Sequence, residues 1–306
     1  MMRLPRAYRL DLHPMGKKSK RSKEDLIAKR LARAQATAFV ARPFADLPFE
    51  ADLICLRELV PAATATAKLK EEFGGHEVTI TSLLPAAWQA WHREDGQILA
   101  GMQVPVSSTD ASRDVARGIL TAAEAAPGSS VESTTEPGEG PRLQDILDVT
   151  HPFDVRVLET FDYWKLPEAE TDSDVAAALE QANESIAPTE KFASVDSAYW
   201  TEMSGRTYVR WARPEGEDRI VDALARLQAE KANDLGGPGS FLGYFRAHGI
   251  IVPVWELEFG TQVDDVEEPI AEFGKRLDEA LNTSEPLSTE ARRVRSGIVA
   301  RQLTIH

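Results

Sequence analysis

The sequence predicts an α+β fold in which antiparallel meander and hairpin sheets are packed by amphipathic helices. Strand-like segments occur in neighbouring groups joined by short turns, which is typical of antiparallel pairing. Longer segments with apolar residues at helical spacing stand before and after these groups rather than between single strands. The composition, 42% hydrophobic and 27% charged over 306 residues, supplies a core for one large domain or two smaller ones.

The first folded half is predicted over residues 41–126. Pro48 and the acidic residues behind it begin a helix that Pro61 ends. Alternation then predicts a three-strand antiparallel meander, and a helix follows with Asp110 or Ser112 as its N-cap. The strands are expected at 63–70, 78–83 and 98–106, and the last helix at 111–126.

Residues 127–141 hold no apolar residue except Val131, which predicts a flexible linker or a long exposed loop. A second α+β half is predicted over residues 142–306, with a hairpin turn at Ser204-Gly205. Its strands are expected at 155–158, 198–203, 207–211, 241–247 and 250–257. Its helices are expected at 143–147, 173–186, 215–234, 264–281 and 285–298.

The order of elements raises the hypothesis that the two halves are related. In each half a helix broken by proline, at Pro61 or Pro188, precedes antiparallel strands and an amphipathic helix. The alternative is coincidence among common α+β pieces, because identity between the segments is slight. Superposing 48–126 on 174–234 distinguishes the two explanations.

Charge divides the chain into two unlike parts. Residues 1–33 contain eleven Lys or Arg and three Asp or Glu, a balance of +8 within a total of −14. The other 273 residues therefore carry −22, which repels nucleic acid phosphates. A basic, partly disordered arm is predicted over residues 1–40, with a helix at 23–37.

The arm is interpreted as a contact for an acidic protein or RNA, and the alternative is a solubilising tail. No aromatic residue lies between positions 15 and 37, so the arm offers no platform for base stacking. No sequence-specific DNA binding is therefore expected. The partner-binding candidates are Lys17, Lys18, Lys20, Arg21, Lys23, Arg30 and Arg33.

Met15 is the expected start of the natural protein, with Met1 as the alternative. Four lysines fall between positions 17 and 23 in a chain where Arg outnumbers Lys by 24 to 11. Residues 1–14 would then be an upstream extension. Peptides from residues 3–14 in a mass spectrum of the natural protein would rule out Met15 as its start.

The composition argues against several kinds of site. The single cysteine, Cys55, permits no internal disulfide, and its place on an apolar helical stripe predicts a core thiol. The six histidines are scattered, and no metal site, cofactor or catalytic residue is predicted. No 18-residue apolar run and no secretory signal pattern occur, so we expect no membrane contact and a cytoplasmic location.

Aromatic residues have a functional and a structural interpretation. Trp88, Trp91 and His92 stand close together in the sequence, and Trp200 and Trp211 fall in one predicted hairpin. Tryptophans line some ligand pockets, but they more often fill cores and interfaces.

Three further segments have a similar double interpretation. His248 is either a general acid or base or a histidine of a surface turn. The acidic segment 264–268 either binds a divalent cation or begins a helix. The glycine cluster 236–239 lacks the lysine and the spacing of a phosphate loop, so a helix end followed by a turn is expected.

Four segments resemble an uncharacterised family of actinobacterial proteins. They are Met15–Arg21, Leu56–Ala65, Gly140–Asp145 and Phe245–Trp255. The resemblance covers nearly the whole chain from residue 15 and implies a bacterial cytosolic protein with a basic MGKKSKRSK-type N-terminus. It implies no activity, because the family is one of unknown function.

The leading hypothesis is a non-enzymatic cytosolic binding protein whose basic arm contacts an acidic partner or RNA. The alternative is an enzyme or small-ligand binder with a Trp/His-lined cleft between the two halves. A cleft in which His92 or His248 meets a buried carboxylate would favour the alternative.

Overall fold

Helices and two β-sheets make up the structure, which confirms the predicted α+β fold class. The computed structural model describes residues 38–136, 138–165, 173–235 and 239–303. The helices in these ranges are α1 (Glu50–Glu58), α2 (Ala111–Glu124), α3 (Leu143–Ile146), α4 (Ser173–Glu184), α5 (Glu217–Ala229), α6 (Val263–Leu281) and α7 (Thr289–Ala300).

The first sheet is mixed. Its strands are β1 (Ala63–Lys68), β2 (Glu77–Thr81), β3 (Ala90–His92), β4 (Ile98–Gly101), β5 (Ser130–Val131) and β6 (Val155–Val157). They lie in the order β5-β3-β4-β2-β1-β6, and the pair β2–β4 is parallel while the other pairs are antiparallel. The predicted three-strand antiparallel meander is therefore wrong. Strand β3, which the alternation did not predict, reverses the chain before β4, so β4 runs in the same direction as β2.

The second sheet is antiparallel throughout. Its strands are β7 (Thr189–Lys191), β8 (Ala198–Met203), β9 (Arg206–Trp211), β10 (Gly239–Ala247) and β11 (Ile250–Leu257), in the order β10-β11-β9-β8-β7. Two-residue turns at Ser204-Gly205 and His248-Gly249 join β8 to β9 and β10 to β11, and both residues of each turn have positive φ. These are the features of type I′ hairpin turns, and the predicted hairpin at Ser204-Gly205 is confirmed.

Helix α1 is buried on nearly every side, unlike an amphipathic surface helix. Leu53 and Ile54 belong to an apolar cluster that also includes Ile80 of the first sheet and Val252 of the second. A separate cluster joins the second sheet to α5, α6 and α7. Helix α1 thus lies in the core that the two sheets share.

Sheet membership does not follow the two predicted halves. Within residues 127–141, Ser130 and Val131 pair with β3 as an edge strand. After this segment the chain returns to the first sheet, where Val157 of β6 pairs with Ala63 of β1. The two sheets differ in strand order and in direction of pairing, so the hypothesis of related halves is not confirmed. The proposed domain boundaries stay predictions.

Two helix starts show the local chemistry that places them. Asp110, one of the two predicted caps, accepts a hydrogen bond from the amide of Arg113 at 3.4 Å. Ser288 caps α7 through the amide of Ala291 at 3.1 Å. Among the helices in the described ranges, none has the length and apolar character needed to cross a membrane.

Candidate ligand-binding cleft

A cleft of about 850 Å³ opens beside the first turn of α1. Its lining comes from the loop 149–153, from the loop 194–197 and from four residues at the start of α1: Pro48, Phe49, Ala51 and Asp52. The segment 211–215, which ends β9, and the middle of α6 complete it. The cleft therefore lies where α1, from the shared core, meets the end of β9, the central strand of the second sheet.

Two cations in the lining are each close to carboxylates. The Nη2 atom of Arg213 lies 2.5 Å from Oε1 of Glu215 and 3.4 Å from Oδ1 of Asp278. The Nζ atom of Lys275 lies 2.7 Å from Oε1 of Glu272. The cleft therefore offers little uncompensated positive charge to a ligand.

Two further carboxylates of the lining, Asp52 and Asp196, form no ion pair with any described residue. Oδ1 of Asp52 accepts a hydrogen bond from Oγ of Ser197 at 2.8 Å. Burial is the main cause that raises the pKa of Asp52, and the negative charges of Asp196 and Asp154 raise it as well. The hydrogen bond from Ser197 and the positive charge of Lys191 lower this pKa, but the net shift is upward. Folding therefore favours the protonated Asp52, and this stabilisation is lost as the pH rises through the folded-state pKa.

Aromatic rings lie next to these carboxylates. Phe49 and Phe153 stack with centroids 4.3 Å apart and an interplanar angle of 12°. The ring of Trp211 is buried, and the Arg213 guanidinium lies 4.8 Å from its centroid. At Gly274 of α6, an added Cβ would lie 3.3 Å from Cη2 of Trp211, so glycine lets the helix approach the indole. The lining combines acidic groups with apolar surface.

A buried polar group lies beneath this end of the cleft. The thiol of Cys55 is 3.7 Å from the carbonyl oxygen of Ser197, and burial raises its pKa well above the ordinary value. This confirms the predicted core thiol.

Arg210 is a second buried polar residue that contacts α1. Burial lowers the pKa of Arg210 to about 10, so its guanidinium is still charged at neutral pH. Arg210 donates to the carbonyl of Leu59 at the end of α1 at 2.8 Å.

His248 meets a carboxylate at the opposite end of α1. Its Nε2 atom lies 2.7 Å from Oε1 of Glu58 and 3.0 Å from Nε of Arg57. Nε2 of His248 thus faces an acceptor, the Glu58 carboxylate, and a donor, the Arg57 guanidinium. A ring nitrogen either donates or accepts, so Nε2 forms a hydrogen bond with only one of the two at a time. Arg57 and Glu58 line a smaller groove of about 400 Å³, and the Glu58 side chain is 34% exposed. The carboxylate that His248 meets is therefore half-buried, at a groove separate from the large cleft.

The other aromatic candidates lie outside the cleft, except Trp211. Trp88 and Trp91 contact each other with centroids 5.8 Å apart, and Nδ1 of His92 lies 2.9 Å from the carbonyl of Ala125, beyond the end of α2. Nε1 of the buried Trp200 donates to a main-chain carbonyl. The tryptophan and histidine that line the cleft are Trp211 and His151.

The acidic segment 264–268 has structural roles. Asp265 accepts from the amide of Gln262 at 2.9 Å in a capping arrangement, and Glu267 accepts from the amide of Ser194 at 2.6 Å. No group of three or more metal-ligating side chains occurs among the described residues. The glycine cluster is described only at Gly239, which begins β10.

The seven arm residues lie outside the described residues. Their assignment as a contact for a partner therefore remains a prediction. The arm candidates are Lys17, Lys18, Lys20, Arg21, Lys23, Arg30 and Arg33.

Sequence reasoning missed the residues that give the cleft its charge. In the sequence, Asp52 is one of the acidic residues behind Pro48 and indicates only a helix start, which is a common structural role. Asp196 and Ser197 lie in a loop without a motif, and only the fold brings them to α1. Ser197 has a φ of 54°, in the left-handed region that serine rarely adopts. This unusual conformation marks the loop in the structure, but nothing in the sequence indicates it.

Comparison with known proteins gives a family and no activity. Residues 43–306 match the family described as "Family of unknown function (DUF5926)". Neither the curated proteins nor the solved structures contain a match to the chain. The match covers most of the sequence, including the cleft, both sheets and α1, and the chain therefore belongs to this family of unknown function.

Proposed function

We propose that this protein is a binding protein that holds a positively charged ligand with an apolar body in the large cleft. The observation behind the proposal is the pair of carboxylates, Asp52 and Asp196, which lack a cation partner among the described residues. They share the lining with the stacked rings of Phe49 and Phe153. The positive charge of such a ligand would pair with the carboxylates, and its apolar body would cover the aromatic rings.

The partly buried carboxylate of Asp52 explains why the cleft would favour a cation. Burial disfavours its ionised form, so a cation placed beside it recovers part of the lost solvation and lowers its pKa again. Opposite charges also attract more strongly where water is partly excluded. The apolar body of the ligand would cover the aromatic surface and add stabilisation through buried area.

n-Hexylamine and hexanoate test this proposal, because they share an apolar body and carry opposite charges at neutral pH. Calorimetric titration of the full chain is expected to show binding of hexylamine and none of hexanoate. Asp52→Asn is expected to weaken hexylamine binding about tenfold, a change of ~1.4 kcal/mol.

The matched control is Asp264→Asn, which removes an exposed carboxylate of α6 that does not line the cleft. This variant should keep the wild-type affinity. Equal binding of the amine and the acid, or unchanged affinity in Asp52→Asn, would contradict the proposal.

We also propose that the basic arm contacts an acidic protein or RNA in the cytoplasm. The supporting observation is the charge of +8 in residues 1–33 beside −22 in the rest of the chain. Such a segment attracts phosphates or carboxylates without reading a base sequence.

Affinity capture from lysate with the full chain and with a chain lacking residues 15–37 tests the arm. RNA or acidic proteins are expected to be lost with the deletion. A chain with Gln at positions 17, 18, 20, 21 and 23 keeps the length and removes the charge, and it should lose the same partners. An unchanged set of partners in both variants would refute this second proposal.

A further inference from the structure

Three arginines converge beside the loop that precedes α3. Arg113 and Arg117 lie one turn apart on α2, and Arg142 follows the loop. Arg113 and Arg142 share the carboxylate of Asp110, whose Oδ2 atom is 3.0 Å from Nε of Arg142 and 3.5 Å from Nε of Arg113. Asp145 accepts instead from the main-chain amide of Arg142 at 2.7 Å. Two of the three guanidinium groups, those of Arg113 and Arg142, are thus held at one buried carboxylate, and Arg117 lies one turn further along α2.

The nitrogen atoms of these arginines are poorly satisfied. In the described part of the chain, nine buried side-chain nitrogen or oxygen atoms have no hydrogen-bond partner. Four of the nine belong to this cluster: Nε and Nη2 of Arg117, together with Nε of Arg113 and Nε of Arg142, which lie near Oδ2 of Asp110 as ion pairs but without the geometry of a hydrogen bond. Arg117 also forms no ion pair with a described residue. Buried donors without partners are costly, and such a group commonly indicates a bound water or ion.

The neighbouring loop covers two of these side chains. An added Cβ at Gly138 would lie 3.6 Å from Cδ of Arg117 and 3.9 Å from Cδ of Arg113, so the loop passes directly over both side chains. The carbonyl of Gly140 accepts from Nη1 of Arg113. The amides of Gly138, Glu139 and Gly140 donate no hydrogen bond to any described residue. Gly140 has a φ of 142°, a conformation that favours glycine.

We propose that this cluster is a binding site for a tetrahedral oxyanion, namely a phosphate group. Guanidinium groups bind phosphate through paired N–H donors. Arg117 supplies the donors that have no partner, and Arg113 and Arg142 add positive charge. Glu139 is exposed in the same loop, so its side chain is free to turn toward solvent. The site is independent of the acidic cleft.

Thermal unfolding in phosphate and in chloride at equal ionic strength tests the site. The melting temperature of the wild type is expected to rise with phosphate concentration and to saturate, because a ligand of the native state stabilises it. Arg117→Met should abolish this rise. In chloride the same variant should be at least as stable as the wild type, because it removes buried donors without partners.

Arg156→Met is the matched control, because it removes an exposed arginine of β6 and should keep the full response to phosphate. Should Arg117→Met fail to fold, Arg117→Lys, which keeps the charge and loses the fork of donors, should show a weaker response. A titration of the wild type with phenyl phosphate is compared with the titration with inorganic phosphate. Tighter binding of phenyl phosphate would identify the ligand as a phosphate ester, and tighter binding of inorganic phosphate would identify it as free phosphate. Equal melting temperatures of the wild type in phosphate and chloride, or a full phosphate response in Arg117→Met, would overturn the proposal.

Discussion

Trp255→Ala is expected to lower the free energy of unfolding by about 4 kcal/mol. Trp255 has an exposed fraction of 0% in the cluster between the second sheet and its helices. Its ring centroid lies 5.4 Å from that of Phe241 and 5.1 Å from that of Phe273. Its Nε1 donates to the carbonyl of Asn233 at 2.9 Å, so the substitution leaves a cavity and an unpaired acceptor.

Urea unfolding followed by circular dichroism measures this loss without relying on tryptophan fluorescence. Phe259→Ala is the matched control, because this aromatic residue lies four positions later and is 94% exposed. Its substitution is expected to change the free energy of unfolding by about 0.5 kcal/mol or less. Similar losses in the two variants would contradict the packing described for Trp255.

Gly249→Ala is expected to destabilise the protein by about 3 kcal/mol. Gly249 has a φ of 85° in the turn between β10 and β11, and alanine in that conformation costs roughly 1 kcal/mol. The added Cβ would also lie 2.6 Å from Cβ of Arg42 and 2.8 Å from the carbonyl oxygen of Ala41, which the chain relieves only by moving the backbone. That movement displaces Arg42 from Glu50, a carboxylate only 3% exposed that it binds at 2.7 Å.

Gly96→Ala separates the two contributions. Gly96 has a φ of 88°, almost the same as Gly249, and an added Cβ there meets no atom within 4 Å. Its substitution should cost about 1 kcal/mol, the conformational part alone. Equal losses in urea unfolding of the two variants would show that the close approach to Arg42 carries no energy.

The sequence predicted correctly those helices and strands that are determined by local periodicity and by short turns. The helix at 264–281 and the strands at 198–203 and 250–257 match α6, β8 and β11 to within a residue. Their apolar residues recur at one clear period, and two-residue turns fix the hairpins. The core position of Cys55 followed from the same periodicity.

The rest depends on contacts between distant segments. Strand β3 has three residues, too few for alternation to be recognised, so the parallel pairing of β2 with β4 could not be predicted. The cleft has the same origin, because Asp52 and Ser197 are 145 positions apart in the sequence and meet only through tertiary packing. Arg117 looks in sequence like any solvated arginine of a helix, and only the loop above it makes its nitrogens unusual.

The burial of α1 has a consequence for folding cooperativity. Its apolar residues belong to a single cluster with both sheets, so neither sheet can release the helix without exposing the core of the other. The Cys55 to Ser197 and Leu59 to Arg210 contacts close loops of well over a hundred residues, which is a slow event for a folding chain. A ribosome-bound nascent chain that has emerged only through the first sheet would still lack the strands that cover α1. Helix α1 would therefore remain partly uncovered until the strands of the second sheet, which end at Leu257, have been synthesised.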